Sequence, residues 1–378
     1  MDIDYKHRIF GLDIIRTIEI LLVLFSHSTL LLFPDEEHTL LTIIQFFGTI
    51  GVDLFFVLSG FLIGGIILKQ LKQGKLAFKD FTYFWIRRWF RTLPNYFLIL
   101  TINIILGLFF YGEIVKGISK YFVFLQNFSS SQPDFFTESW SLTIEEFAYI
   151  LGPLFLYLLI SFFKVFPKQY LYLAATLLLI ACVTLLRLKF HSNNIISNGQ
   201  EWSRQLRKVT IYRIDSIYYG FIAAYIAVYL KPCWERYRTS LFYFGLTVFF
   251  GLHVGIFVFN WLPENASLFY NIFYLPIVSI SLLLLFPLAV SNEIKPLFKR
   301  QITEISILSY AMYLVNYSIV LLSITYFIDV SEINLLSKLI VLLFYWAATY
   351  LLSYLLFIYF ESPLTKLRDS NFIRSQFY

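Results

Sequence analysis

Arg16, Glu19 and His27 lie within RTIEILLVLFSH, an otherwise largely apolar stretch near the N-terminus. An Arg, Lys or Asp at the centre of a membrane helix costs about 2.5–3.5 kcal/mol on insertion scales, so such groups default to function. His27 is the most chemically versatile of the three. A membrane-depth imidazole serves as proton relay, metal ligand or catalytic base, and no second His or Cys stands near it at metal-ligand spacing. Arg16 and His27 are separated by about three helical turns and about 16 Å of rise, which places them on nearly one face at two depths. Asp13 and Glu19, each three residues from Arg16, are within pairing range of it. Glu19 stands about 60° around the helix from Arg16 and about 80° from His27, and reads as a partner to Arg16.

Further along, SLTIEEFAY places Glu145 and Glu146 at the start of an apolar run. Thr143 and Glu146 fit a T-x-x-E capping box, which gives Glu146 a structural reason. Glu145 has none, and at His27's depth it would orient the imidazole and stabilise its charged form, as a buried carboxylate does in hydrolase triads. Asp53, behind Gly48 and Gly51, reads as substrate support or as a structural partner for Arg16 or a backbone donor. Arg87, Arg88 and Arg91 cluster where another apolar run begins, a place where basic residues also simply obey the positive-inside rule. Arg213 and Asp215 form R-x-D, either a boundary pair or part of an acceptor site. His7, His38, His191 and His253 read as loop or packing residues.

These side chains must be carried by membrane-spanning helices. The 378-residue chain is 58% hydrophobic and 20% aromatic with only 14% charged residues, and its mean hydropathy of +0.70 excludes an ordinary soluble enzyme. Apolar runs divided by charge, Pro and Gly predict an all-α polytopic bundle of about ten helices, near residues 9–33, 41–68, 83–111, 142–163, 169–188, 212–230, 239–260, 267–291, 303–328 and 335–360. One transmembrane domain is expected over 1–378, with 361–378 a short cytoplasmic tail and no soluble domain. The first apolar segment lacks a small-residue cleavage site and is expected to remain as the first span. Two cysteines are too few for a disulfide framework. Lys and Arg concentrate in alternate connections, which puts both termini on the cytoplasmic side of an inner (cytoplasmic) membrane. An anomaly is the basic group Arg187, Lys189, Arg204, Arg207, Lys208 and Arg213 around an outer connection, which implies an anionic partner or a miscounted span.

Several of these blocks, taken in order, resemble the integral-membrane acyltransferase family 3, whose members O-acetylate bacterial polysaccharides and related glycans. The resemblance runs through GLDIIRTIEILLVLFSH, FGTIGVDLFFVLSGFLI, RRWFRTLPNYF, WSLTIEEFAYILGPLF, RIDSIYYG and FESPLTKL, nearly the whole chain. In SYAMYLVN this chain has Asn316 where the family often has histidine. The resemblance implies a membrane O-acyltransferase that moves an acyl group, acetyl above all, from cytoplasmic acetyl-CoA to a hydroxyl of a cell-envelope glycan such as O-antigen or exopolysaccharide. It implies His27 and Glu145 as the catalytic pair, His27 acting as general base or as acyl carrier. It also implies that Arg88 and Arg91 bind the donor's phosphates, with Arg16 lining the donor's path. Asp13, Asp53, Arg213 and Asp215 would support substrate or structure. Some relatives carry an extracytoplasmic hydrolase-like domain that completes the transfer, and none is read here. Rival readings are a multi-span transporter or flippase, which would show repeat symmetry between its halves, and an acyltransferase of the same family with a non-glycan acceptor.

Overall fold

The computed structural model describes residues 8–34, 38–291 and 297–368, and all regular structure among them is helical. Ten helices carry the architecture: α1 (Phe10–Leu32), α2 (Thr39–Lys72), α3 (Phe78–Tyr111), α4 (Ser139–Phe162), α5 (Lys168–Asn193), α6 (Asp215–Tyr229), α7 (Arg238–Val258), α8 (Phe269–Ala289), α9 (Lys299–Phe327) and α10 (Leu335–Arg368). Nine of them, all but α6, are long and apolar enough to cross a membrane by length and composition. At 15 residues, α6 rises only about 22 Å, short of a hydrocarbon core of about 30 Å.

The expected spans thus appear in order, with shifted ends. α3 begins at Phe78, because Asp80 accepts from the Ala77 N–H at 2.9 Å and fixes the first turn there. α4 begins at Ser139, so Thr143 and Glu146 lie inside the helix and do not form its cap. Residues 361–368, expected in the tail, continue α10 through a π-turn at Phe357–Glu361. Lys6, His7 and the remainder of the tail, 369–378, lie outside the described residues.

α2 is the central post, packed on α1 along one side and α6 along another. The second contact is possible only without side chains: a Cβ on Gly60 would fall 1.8 Å from the Ile217 carbonyl oxygen, and one on Gly220 would fall 2.2 Å from that of Val57. With no hydrophobic driving force between helices in lipid, such backbone approach is a main source of packing energy. Phe56, Trp85, Trp140, Tyr149 and Tyr218 fill the space where α2, α3, α4 and α6 meet. α1, α9 and α10 join through Leu24, Leu308, Met312 and Tyr345.

Two ion pairs buried to 2% exposure or less complete this frame, Arg213 with Asp53 of α2 and Arg187 of α5 with Asp215 of α6. The R-x-D motif is therefore not a local pair, since its two members clamp different helices. Asp53 pairs with Arg213 and not with Arg16, as the tight α2–α6 crossing brings residue 213 against α2. These pairs also account for part of the basic anomaly: Arg187 and Arg213 face carboxylates inside the bundle. Removing one member of such a pair strands the other charge at a cost of about 3–5 kcal/mol.

Candidate active site

His27 lies five residues from the end of α1, half-buried, with its ring 4.9 Å from that of Tyr317. Its Nδ1 is 2.5 Å from Oδ1 of Asn316 on α9. The direction of this bond follows from the rest of the amide. Asn316 Nδ2 donates to the carbonyls of Met312 and Tyr313, both at 2.8 Å, so both amide hydrogens are committed and Oδ1 must face the imidazole. Nδ1 of His27 is then the protonated donor, and Nε2 keeps its lone pair, the tautomer of a general base.

Asn316 opens a π-turn, Asn316–Leu321. At that turn the Ser318 N–H and hydroxyl donate to Oε1 of Glu138 at 3.2 and 2.5 Å. Tyr313 donates to the Glu138 carbonyl at 3.0 Å and shares a 2.7 Å bond with Ser141. The start of α4 and the middle of α9 are thereby locked together beside His27. Glu138 went unremarked in the sequence because it precedes the apolar run.

Glu145 is placed elsewhere. It lies about 10 Å further along α4 than Glu138, and its Oε1 accepts from Arg88 Nη2 at 2.6 Å, from Ser59 at 3.0 Å and from the Tyr149 hydroxyl. Arg88 also donates to the Tyr149 hydroxyl at 2.7 Å and lies over its ring, 4.4 Å from the centroid. The expectation that Glu145 orients His27 is corrected: Asn316 holds the imidazole, and Glu145 anchors Arg88. α4 starts three residues earlier than expected, which carries Glu145 about 4.5 Å deeper, and there α4 packs its carboxylate against Arg88 of α3. Glu146 accepts from Thr92 at 2.8 Å and Trp89 at 3.1 Å, a second tie between α4 and α3.

The arginines gather at the other end of α1. A basic cavity of about 700 Å³ is lined by Lys69, Lys75, Arg87, Arg88, Arg91 and Arg368. A neighbouring one of about 320 Å³ shares Arg91 and Arg368 and adds Arg8, Arg16, Glu361 and Lys366. Arg16, Arg88 and Arg91 also wall a third, narrow cavity of about 60 Å³ inside the bundle. These three residues thus form a cationic neck between basic vestibules and an interior chamber. That chamber continues along α1 past Glu19, Ile20 and Val23, and His27 lies one helical turn beyond Val23. Asp13 does not pair with Arg16. It accepts from Arg8 and, at 2.8 Å, from Ser306 of α9, fixing the base of α1.

On the far side, Arg207 and Lys208 sit over the Trp140 ring, 5.1 and 6.0 Å from its centroid. Burial, reinforced by the Arg207 charge, pushes the Lys208 ammonium down to about 8. Of the histidines read as packing, His253 bonds the Phe249 carbonyl and the Tyr274 hydroxyl, and His191 bonds Asn271. His38 caps α2 by accepting from Leu40 N–H at 3.2 Å.

An imidazole whose Nε2 has no partner among the described residues and a cluster of arginines thus sit toward the two ends of one helix, inside a bundle of membrane-length helices. The sequence profile described as an acyltransferase domain matches residues 9–358, and the chain belongs to this family, acyltransferase family 3. The chain is similar to the peptidoglycan O-acetyltransferase OatA of Listeria monocytogenes, 35% identical over 133 residues, covering 31% of this chain and 21% of the relative. It is also similar to the O-acetyltransferase OatA of Staphylococcus aureus, 24% identical over 309 residues, covering 75% of this chain and 47% of the relative. The chain thus spans about half the length, or less, of these curated relatives. No solved structure matches it.

Proposed function

We propose that this chain O-acetylates a cell-envelope glycan, taking the acetyl group from acetyl-CoA on the cytoplasmic side of the cytoplasmic membrane. The single observation that carries the reading is the placement of Arg16 of the cationic neck and His27 along one helix, with the interior chamber running between them to within one helical turn of His27. The names of the relatives favour peptidoglycan as the acceptor over O-antigen or exopolysaccharide. Donor phosphates rest in the vestibules on Arg87, Arg91 and Arg368, guanidinium groups suited to them. Arg88 is engaged by Glu145 and shapes the neck. The pantetheine arm rises past Arg16 and delivers the thioester near His27.

The acceptor enters from the opposite side. Its hydroxyl oxygen attacks the thioester carbonyl carbon as Nε2 of His27 takes the hydroxyl proton, the C–S bond breaks, and the proton passes to the departing thiolate. The products are the acetyl ester and free CoA thiol. Asn316 keeps Nδ1 as the donor throughout, so the attacking face of the ring is always Nε2. The test is transfer from labelled acetyl-CoA into envelope glycan by membranes carrying the wild-type chain or His27→Ala. Loss of label with His27→Ala, together with acetyl mass on sugar in the wild type, is expected. Wild-type transfer by His27→Ala would end the assignment.

A further inference from the structure

Glu19 was read as a partner of Arg16, yet the structure gives it no ion pair or hydrogen bond to Arg16 or to any other described residue. It is 6% exposed, and its Oε2 is buried without a hydrogen-bond partner among the described residues. It also lines the interior chamber, between Arg16 and Val23. The same chamber holds Glu145, whose Oε1 is supplied with three donors. The bundle's structural carboxylates Glu138, Glu145 and Asp215 each have at least one oxygen supplied with a donor, and Glu19 has none among the described residues. A buried carboxyl left without donors is costly, so a ligand in the chamber is the source of the missing ones.

We propose that Glu19 recognises the donor by accepting a hydrogen bond from an amide N–H of its pantetheine arm, a role that rests on the acyl-CoA reading above. Depth selects the group. Glu19 lies about 4.5 Å beyond Arg16 and about 12 Å short of His27 along α1. In an extended pantetheine arm the two amide nitrogens lie about 4 and about 9 Å from the sulfur. With the acceptor oxygen between Nε2 and the thioester carbonyl, each contact taking about 3 Å and the C–S bond about 2 Å, the first amide, the one nearer the sulfur, comes level with Glu19. Its neighbours in the wall, Ile20 and Val23 on α1 and Val52 and Phe55 on α2, offer no acceptor side chain. An amide N–H that has left water beside them finds its acceptor in Glu19.

The experiment uses the full chain in liposomes with two donors, acetyl-CoA and an analogue whose first pantetheine amide N–H, the one nearer the sulfur, is replaced by ester oxygen. The wild type should discriminate against the analogue by about two- to twelvefold in KM, the scale of a single hydrogen bond, with kcat little changed. Glu19→Ala should raise KM for acetyl-CoA by a similar factor and treat both donors alike, while Glu19→Gln, which retains a carbonyl oxygen, should recover most of the discrimination. Equal use of the two donors by the wild type overturns the proposal, whether or not the variants fold. So does a Glu19→Ala enzyme that still discriminates. A wild type that takes no acetyl from acetyl-CoA at all overturns the donor assignment itself and this inference with it.

Discussion

Replacing Asn316 by Ala tests the site at its most specific point. The substitution removes the acceptor from His27 Nδ1 and frees the two backbone carbonyls that Nδ2 now satisfies. The Tyr345 hydroxyl, 3.4 Å from Asn316 Oδ1, is buried and cannot follow the imidazole across the space left by the amide. A buried donor left unpaired costs about 1–3 kcal/mol, and the cost is felt most when the ring becomes an imidazolium during proton abstraction. At about 1.36 kcal/mol per tenfold, kcat should fall about 5- to 150-fold with KM for acetyl-CoA little changed, because the donor's phosphates bind at the far end of α1. The assay is steady-state transfer from labelled acetyl-CoA, normalised to the folded fraction in detergent. Asn316→His, which offers a ring nitrogen as acceptor and matches the histidine often present at this place in the family, should lose less than Asn316→Ala. If Asn316→Ala keeps kcat within twofold, or if the loss falls wholly in KM, the amide does not set the tautomer of His27.

Two further outcomes follow from the charges. Arg88→Met strands Glu145, and Glu145→Leu strands Arg88; each single variant should lower Tm in detergent, and the double variant should regain a large part of the loss while remaining poor in donor turnover. Lys208, held near 8, is a cation at pH 7 and neutral by pH 9. KM for a carboxylate-bearing glycan should therefore rise between those values, and Lys208→Met should flatten that rise; a pH response that survives the substitution would remove Lys208 from acceptor binding.

Much of this layout was legible in the chain, and the reason is local. Within one helix, spacing fixes direction, so the shared face of Arg16 and His27 and their separation in depth followed from residue numbers alone. The arginine cluster was legible because it sits on the first turns of a single apolar run. Which helices touch was not legible. Asp53 meets Arg213 across 160 residues of sequence, a pairing set by two glycines at a helix crossing that no periodicity reveals. The partner of Glu145 was not legible either: an error of three residues in where α4 begins shifts the expected depth of its side chains by about 4.5 Å, and that Glu145 faces Arg88 is set by the packing of α3 on α4. The shortness of α6 was hidden as well, since an apolar run measures hydrophobicity and not how much of it faces lipid.

The π-turn that begins at Asn316 carries a different consequence. An α-helix repeats every 3.6 residues, and one extra residue in a turn rotates everything beyond it by about 100°. Here that rotation re-aims a single stretch of backbone: before the turn Tyr310 and Tyr313 line the chamber, and within it Asn316 meets His27 and Ser318 meets the Glu138 carboxylate. A regular helix through the same residues would be the more comfortable conformation for the backbone, and it would aim Asn316 or Ser318 away from its partner. A substitution that restored the regular helix would thus be expected to raise Tm and lower turnover together, the usual form of the trade between stability and activity.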